Sequence, residues 1–254
     1  MLAIHAVPAF KDNYIWMLES GGRAVAVDPG DAAPVEGFLR ERGFSLAAVL
    51  ATHHHMDHVG GLQALAQRWK CPTFGPAREV VAGLDYRLGE GDRIRVPGVD
   101  VDLDTYDIPG HTAGHIALFG AGAVFCGDTL FACGCGRLFE GTPAQMVDSL
   151  GKLARLPGAT RVYCGHEYTL ANIRFAEVVE PGNRALGARR LRETAKRERG
   201  EPTLPSTVAE ELATNPFLRC DQPEIIASAE RRAGRRLAGR VEVFAVLRDW
   251  KNTF

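Results

Sequence analysis

Short apolar runs recur along the first two thirds of this 254-residue chain and predict β-strands. Residues 13–19 and 23–27 flank the pair Gly21-Gly22, an arrangement that is typical of a hairpin. Residues 46–51 are all aliphatic, which is typical of a strand buried on both faces. The chain therefore begins as a sheet-forming sequence.

Further strands are expected downstream. Residues 99–108 alternate apolar and acidic positions, which predicts a strand at an exposed sheet edge. Three more apolar runs begin at residues 116, 124 and 162, and each of the last two ends at a glycine. These runs predict a second group of strands in the middle of the chain.

Spacings of three and four between apolar residues predict helices. One helix follows Gly60-Gly61, where Leu62, Leu65 and Trp69 share a face. Another is capped by Thr142. This capped helix covers residues 144–156, and the remaining predicted helices cover residues 33–42, 168–179, 184–199, 206–212, 223–233 and 241–250.

The pattern changes near residue 166, after which strand signals largely disappear. We therefore predict a domain of strands and helices over residues 1–166 and a helical domain over residues 167–254. Charge follows nearly the same division: residues 1–165 carry 14 basic and 18 acidic groups, and residues 166–254 carry 16 and 13. The helical domain is thus mildly positive.

The turn after the buried strand predicted at residues 46–51 holds the cluster THHHMDHVGG, which begins at Thr52 and contains four of the eight histidines of the chain. If the turn begins extended, His53 and His55 project to the same side and can hold one cation. Asp57 and His58 follow after the chain bends and can serve a second cation. This clustering indicates a metal site on a strand-to-helix turn.

Three more polar residues stand just past apolar strands, each beside a glycine: His111, Asp128 and His166. Ligands of α/β sheets bind beyond the carboxyl ends of the strands, so we expect these residues to join the cluster. His54 points the other way and receives no ligand role. Five histidines and two aspartates suffice for two metals with positions left for solvent, which is typical of a catalytic site.

Four motifs together resemble the signature of the metallo-β-lactamase superfamily. They are Thr52-His53-x-His55-x-Asp57-His58, Gly110-His111-Thr112, Gly127-Asp128-Thr129 and Gly165-His166. Within that superfamily the whole chain is similar to glyoxalase II, the hydroxyacylglutathione hydrolases. The similarity is carried by NYIW at 13–16, GCGRLFEG at 134–141, GHEYT at 165–169, TNPFLR at 214–219 and LRDWK at 247–251.

The resemblance implies an α/β (α+β) fold, in which a four-layer αββα sandwich is followed by a helical, glutathione-binding C-terminal domain. It also implies two divalent metal ions in each chain. Zinc is the expected metal, and iron and manganese are alternatives. Its ligand sets are His53, His55 and His111 for the first metal and Asp57, His58 and His166 for the second, with Asp128 bridging them.

The resemblance further implies hydrolysis of S-(2-hydroxyacyl)glutathione, in particular S-D-lactoylglutathione, to glutathione and D-lactate, the second step of methylglyoxal detoxification. Glutathione is then bound by Arg137, Phe139, Tyr168, Arg248 and Lys251. Some relatives have Lys at the position of Arg137 and Tyr at that of Phe139, so this chain keeps the charge and lacks the hydroxyl. Arg248 and Lys251 are three residues apart and share one helix face.

The chemistry of the donor set agrees with this activity. Water bound to a suitably held zinc ion has a pKa of about 7 instead of about 15.7, so a hydroxide between two cations can attack the thioester carbonyl. A cation also stabilises the charge that develops on the carbonyl oxygen. Asp57 and Asp128 then act as ligands or orient the hydroxide. The chain has no Gly-x-Ser-x-Gly motif, so a serine nucleophile is not expected.

Composition narrows the class of protein. The net charge is −1, and the seven basic residues of 184–199 indicate a solvated helix face instead of a nucleic-acid site. No apolar stretch is long enough to span a bilayer, and the N-terminal residues lack the features of a secretory signal. The six cysteines predict unpaired thiols. We expect a cytoplasmic monomer that binds neither nucleic acid nor membrane.

Three alternatives share much of this reasoning. A mononuclear iron dioxygenase that acts on glutathione persulfide would need one metal and would leave Asp57, His58 and His166 underused. A metal-dependent nuclease of the same fold would need a large basic surface, which the balanced charge does not indicate. A binding module on a decayed scaffold would not be expected to keep all seven donors.

Overall fold

Two β-sheets pack against each other around a shared apolar core in this protein, which a computed structural model describes over residues 2–254. The first sheet has the strand order β1-β2-β3-β4-β5-β6 and the second β14-β13-β10-β9-β8-β7, while β11 and β12 form a small hairpin. In that range the strands are β1 (Ala3–Ala9), β2 (Asn13–Ser20), β3 (Arg23–Val27), β4 (Ser45–Leu50), β5 (Thr73–Pro76), β6 (Tyr86–Leu88), β7 (Arg93–Val96), β8 (Val101–Asp107), β9 (Ile116–Gly120), β10 (Ala123–Gly127), β11 (Leu130–Phe131), β12 (Gly134–Cys135), β13 (Arg161–Cys164) and β14 (Ser206–Thr207).

Strand β2 is buried on both faces. Trp16 and Leu18 belong to the core that also contains Leu118 of the second sheet. Ile15 and Met17 alternate with them and belong to a separate cluster on the other side of the first sheet. Because successive side chains of a strand point to opposite faces, the first sheet must be covered on both sides.

Helices provide that cover. Helices α1 (Ala32–Arg42) and α3 (Leu62–Trp69) bury Val35 and Leu65 in the cluster on the outer face of the first sheet. Helix α4 buries Met146 and Leu150 in the core that contains the second sheet, which gives the predicted αββα sandwich. Over residues 2–254 the helices are α1 (Ala32–Arg42), α2 (Met56–Val59), α3 (Leu62–Trp69), α4 (Pro143–Ala154), α5 (Thr169–Val179), α6 (Arg184–Glu198), α7 (Val208–Thr214), α8 (Pro223–Ala233) and α9 (Arg240–Asn252).

The predicted helices all form, with ends that differ by at most two residues. The predicted cap of α4 is confirmed: Thr142 accepts from the backbone N–H of Gln145, whose side chain accepts from the backbone N–H of Thr142. The predicted hairpin at Gly21-Gly22 is also confirmed, because β2 pairs antiparallel with β3.

The prediction of an exposed edge strand at residues 99–108 is wrong. Strand β8 pairs with β7 on one side and with β9 on the other, so β7 is the edge. The alternation of β8 has a different cause. Val101, Leu103 and Thr105 are buried in the sandwich, whereas Asp102 and Asp104 are partly exposed on the opposite face.

The C-terminal helices share the core of the sandwich. Phe175, Phe217 and Phe244 belong to the same buried cluster as the strands of the second sheet. In addition, β14 pairs antiparallel with β13, so a segment from the helical region extends the second sheet. The predicted helix at 206–212 begins later, at Val208, because Ser206 and Thr207 form this strand.

A buried ion pair connects two of these helices. Arg189 of α6 donates to Glu211 of α7 and to Thr214, at 2.6 Å in each case. Glu211 also accepts from the backbone N–H of Cys133 at 2.8 Å and from the amide of Asn215 at 2.9 Å. Both charged side chains are buried, so removal of either one would leave the charge of the other uncompensated.

All six cysteines are free and buried in the structure. They fill space in the core as small apolar side chains. Over residues 2–254, no helix combines the length and the apolar character that a membrane span requires.

Replacement of Arg189 by Met tests the energy of the buried ion pair. We expect the free energy of unfolding, measured by urea denaturation, to fall by about 3–5 kcal/mol because the Glu211 carboxylate remains buried without its partner. The neighbouring variant Arg190→Ala is the control, since Arg190 meets Glu177 at the surface and should cost at most about 1 kcal/mol. Equal urea midpoints for the two variants would contradict this account.

Candidate metal centre and substrate cavity

The histidine-rich turn leaves β4 extended and then enters the short helix α2. His55 precedes α2 with φ −60° and ψ 141°, so the chain bends only after it. Nε2 of His53 consequently lies 3.1 Å from Nδ1 of His55. Nε2 of His111, from the loop after β8, lies 3.0 Å from the same Nδ1 atom. Three ring nitrogens from two loops therefore converge on one point, and we call these residues the first trio.

A second group of donors lies beside the first. Oδ2 of Asp57 lies 3.6 Å from Nε2 of His58 and 3.4 Å from Nε2 of His166, and we call these residues the second trio. Within each trio the donor atoms lie within 4.8 Å of one another. One small cation can be shared by three donors at such separations.

Asp128 lies between the two trios. Its Oδ1 atom is 3.4 Å from Nε2 of His58, and its Oδ2 atom is 3.2 Å from Nε2 of His166 and 3.5 Å from Nε2 of His111. The carboxylate is buried and thus faces imidazoles of both trios at once.

Strand direction explains why residues so far apart in the chain meet here. Strands β8, β10 and β13 run the same way, because β9 is antiparallel to both β8 and β10 and β13 is parallel to β10. Their carboxyl ends therefore meet at one edge of the second sheet. In the first sheet β3 and β4 are parallel, so their carboxyl ends lie side by side. Ligand sites lie beyond such ends.

Four of the five histidines are held from behind through Nδ1, so that Nε2 faces inward. Nδ1 of His111 lies 2.9 Å from the carbonyl oxygen of Arg137. The partners of the other three are Thr52 for His53 at 3.1 Å, Asp28 for His58 at 3.1 Å and Asp12 for His166 at 2.8 Å.

Asp28 supports the donor cluster from behind and is absent from the residues predicted from the sequence. It accepts from the backbone N–H of Thr52 at 2.7 Å and from the Thr52 hydroxyl at 2.8 Å, in addition to its contact with His58. Asp28 also falls with His53 and His58 in a third compact group of donors, but its hydrogen bonds turn it towards their rear. It directly follows β3, the same position that pointed to the other ligands, so this signal was present in the sequence.

Two further side chains support the site without facing it. The ring of His115 stacks on His53 with centroids 4.5 Å apart, and its Nε2 accepts from the backbone N–H of Asp128 at 3.1 Å. Asn13 donates to Oδ2 of Asp57 at 3.0 Å. Nothing in the spacing of these residues distinguishes them from ordinary polar residues.

Burial lowers the pKa of each histidine in the first trio, because the surroundings disfavour the charged ring. These rings are therefore neutral near pH 7. A neutral imidazole keeps the lone pair that metal coordination requires.

The second trio has the opposite electrostatics. Burial alone would lower the pKa of His166, but hydrogen bonds with Asp128 and Asp57 raise it to about 10. His58 behaves similarly, since the attraction of Asp128 outweighs burial and raises its pKa. In turn, the hydrogen bond with His166 holds the pKa of Asp57 below its usual range. Both carboxylates are thus anionic and compensated by positive charge.

Glycines allow this close packing. A Cβ atom on Gly165 would lie 2.5 Å from His58 and 2.6 Å from Oδ1 of Asp128. Gly127 has a φ of +45°, and its Cβ would lie 2.3 Å from the Thr52 hydroxyl. The glycines that precede Asp128 and His166 are therefore steric requirements of the donor cluster.

A cavity of about 400 Å³ opens on His111 and Asp128. All five residues proposed from the sequence for glutathione lie along its wall, namely Arg137, Phe139, Tyr168, Arg248 and Lys251. The cavity thus has a cationic end and an end at the donor cluster.

The cationic end is built by α9 and α5. Arg248 donates to the carbonyl oxygen of Cys135 at 2.7 Å, and its Nε atom has no hydrogen-bond partner within residues 2–254. Lys251 donates to the carbonyl oxygen of Ala171 at 3.3 Å. Burial, together with the charge of Arg248 and other nearby arginines, lowers the pKa of Lys251 to about 8.

Aromatic rings line the passage between the two ends. Tyr168 stacks on His166 with centroids 4.8 Å apart and an interplanar angle of 3°. Phe139 is 62% exposed, and its ring centroid lies 5.6 Å from that of His55 and 5.3 Å from that of His111. The Phe139 ring therefore stands over the first trio at the cavity mouth.

Sequence profiles of two known families match consecutive parts of the chain. The metallo-beta-lactamase superfamily profile matches residues 10–166. The profile described as hydroxyacylglutathione hydrolase C-terminus matches residues 167–254. Together they span nearly the whole sequence.

Curated relatives are similar over their full length. A protein named hydroxyacylglutathione hydrolase from Nitrosomonas europaea is 53% identical, with all of this chain and 97% of that protein aligned. A protein of the same name from Alkalilimnicola ehrlichii is 57% identical, with 99% of each chain aligned.

Solved structures of lower identity share the fold. ETHE1 from Myxococcus xanthus matches with a TM-score of 0.68 and 23% identity, over 98% of this chain and 91% of that one. The B3 metallo-beta-lactamase BLEG-1 matches with a TM-score of 0.62 and 22% identity, over 86% of this chain and 99% of that one. The two profile matches and the full-length relatives show that the chain belongs to the hydroxyacylglutathione hydrolase family of the metallo-beta-lactamase superfamily.

Proposed function

We propose that this protein hydrolyses the thioester of S-(2-hydroxyacyl)glutathione, with S-D-lactoylglutathione as its main substrate, to glutathione and a 2-hydroxy acid. With that substrate the reaction is the second step of methylglyoxal detoxification. The observation that carries the proposal is that one cavity is lined both by the cations Arg137, Arg248 and Lys251 and by His111 and Asp128 of the donor cluster. The name shared by the full-length relatives supports the same substrate class.

The donor cluster fits a pair of divalent cations. Nε2 of His58 and Oδ1 of Asp128 are buried and have no hydrogen-bond partner within residues 2–254, which is costly unless another group satisfies them. The first and second trios would each hold one cation, and Asp128 would contact both. Imidazole and carboxylate donors suit zinc best, and they also accept iron or manganese.

Cations bound there would lower the pKa of a water molecule and polarise the thioester carbonyl. The residues of the chain supply the rest. Asp57 and Asp128 are held anionic, so both can accept a hydrogen bond from the attacking water. The leaving group is a thiolate, which needs little protonation. Phe139 packs against His55 and His111, and Tyr168 stacks on His166, so the two rings shield part of the trios from bulk water.

Arg137, Arg248 and Lys251 bind the glutathione end in this proposal. Glutathione carries two carboxylates, and charge-assisted hydrogen bonds to such groups are stronger than neutral ones. The unpartnered Nε of buried Arg248 provides one donor for them. The position of these cations at one end of the cavity would orient the thioester towards Asp128.

A mononuclear dioxygenase and a nuclease make poorer use of the same residues. One metal at the first trio would leave the second trio and its supports, Asp12 and Asn13, without a role. A nuclease would need unpaired cations along a duplex-sized surface, whereas arginines of α6 such as Arg190 and Arg192 are paired with carboxylates.

We also propose that the enzyme acts as a monomer in the cytoplasm. The three donor groups and the five residues assigned to glutathione all come from one chain. Six free cysteines suit a reducing compartment.

The direct test is hydrolysis of S-D-lactoylglutathione by the purified, zinc-loaded protein. We expect loss of thioester absorbance and release of one thiol for each thioester consumed, without oxygen uptake. His166→Leu, which removes a donor of the second trio only, should abolish most of this activity. A zinc-replete protein that leaves the thioester intact would refute the proposed function, and oxygen uptake with a persulfide substrate would favour the dioxygenase.

The charge of Lys251 predicts a pH dependence. Its pKa of about 8 lies below the usual lysine value, so the ammonium is present below pH 8 and is lost as the pH rises through that value. We expect kcat/KM for glutathione thioesters to fall over this range by about tenfold, the effect of losing one charge-assisted hydrogen bond of roughly 1.5 kcal/mol.

Lys251→Arg should extend the plateau of kcat/KM to higher pH, because a guanidinium stays charged. Lys152→Arg, on α4 and away from the cavity, is the matched control and should keep the wild-type profile. If Lys251→Arg and the wild type lose kcat/KM at the same pH, Lys251 is not the group responsible.

A further inference from the structure

A buried carboxylate outside the two trios ties together the loops that form the first trio. Glu79 follows β5, belongs to neither trio and is only 6% exposed. A carboxyl group so deeply buried requires hydrogen bonds that compensate its loss of water. Its partners therefore show what holds it there.

Two partners of Glu79 lie in the loop that carries His111. Its Oε1 atom accepts from the hydroxyl of Thr112 and from the backbone N–H of Gly114, the latter at 3.1 Å. A Cβ atom on Gly114 would lie 2.6 Å from Cγ of Glu79, so the carboxylate rests directly against this backbone.

The third partner lies in the other loop of the first trio. Oε2 of Glu79 is 2.9 Å from Nδ1 of His54, the histidine between the donors His53 and His55. One carboxylate thus contacts residues adjacent to all three donors of the first trio. His54 belongs to neither trio. It links Glu79 to the loop that carries His53 and His55.

Glu140 contacts the same two loops from the outside. It accepts from the backbone N–H of Ala113 at 2.8 Å and lies 3.3 Å from Nε2 of His54. Its side chain is 39% exposed, so its contribution should be smaller than that of Glu79. His54 is therefore held between two carboxylates, each of which also holds the loop of His111.

From this arrangement we propose that Glu79 is a positioning residue that sets the affinity of the first trio for its cation, with Glu140 as a weaker outer partner. The inference rests on the metal site proposed above. No partner of Glu79 belongs to the second trio, which is held instead by Asp12, Asn13 and Asp28. A change at Glu79 should therefore weaken one of two cation sites selectively. Groups that orient metal ligands typically change metal affinity by about 10–100-fold.

The experiment is a Zn²⁺ titration of metal-free protein against a chromophoric chelator. Wild type should show two tight sites. Glu79→Ala should weaken one site by about 10–100-fold and leave the other unchanged. Asp12→Ala, which removes the support of His166, should weaken the other site, and the double variant should weaken both.

Glu79→Gln separates geometry from charge. Its amide oxygen can accept from Thr112 and Gly114, and its amide nitrogen can donate to His54 in the other tautomer. We expect it to restore most of the affinity that Glu79→Ala loses. A role confined to stability would move the unfolding midpoint of both variants without a selective change in zinc affinity.

Glu180→Ala is the matched control. Glu180 is also buried, at 4% exposure, and accepts from Arg219 and Asn183 far from the trios, so its loss should lower stability and leave both zinc sites intact. If Glu79→Ala does not fold, the exposed variant Glu140→Ala takes its place with a smaller loss at the same site.

Failure of the role of Glu79 and failure of the proposed function would give different results. Two tight sites and thioester hydrolysis in wild type, with unchanged zinc affinity in Glu79→Ala and Glu140→Ala, would overturn the role of Glu79 and leave the proposed function intact. Absence of two tight sites in wild type would overturn both.

Discussion

The buried carboxylate of Asp128 needs positive charge on two sides, and this requirement governs how the strand ends are arranged. His58, His111 and His166 face it at 3.2–3.5 Å, and each is turned inward by a partner behind it. In the absence of cations, protons on His58 and His166 supply the compensation, because Asp128 raises the pKa of both rings. Divalent cations would supply it more fully and would satisfy the donor atoms that the protein leaves unpaired.

The helical C-terminal region is part of the same construction. Its aromatic residues lie in the core of the sandwich, and β14 extends the second sheet. The ion pair of Arg189 and Glu211 also fixes the backbone at Cys133, which leads into the β12 segment on the cavity wall. Helix α9 then brings Arg248 and Lys251 to that wall. Stability of the helices and shape of the substrate cavity are therefore coupled through a few buried polar contacts.

Most strands and helices and the donors of the candidate site could be predicted from the sequence, because the signals for them are local. The strand runs, the helix spacing and the cap at Thr142 depend on residues that are close together in the sequence. The donors can be recognised because they follow predicted strands, several of them beside a glycine. Asp28 follows β3 as the donors follow their strands, but the other supports could not be predicted in the same way. Glu79 and Asp12 become recognisable only through partners 33 and 154 residues away. The error at β8 has a related origin, since half-buried strands alternate whether or not a neighbour pairs with them.

The most direct test of the account is the anomalous scattering of zinc in crystals of the loaded, active protein. Two peaks about 3.5–4 Å apart are expected, one within bonding distance of the first trio, one within bonding distance of the second, and both in contact with Asp128. A single peak, or zinc bound elsewhere while the protein hydrolyses its thioester, would contradict the claim that these strand ends enclose a pair of cations.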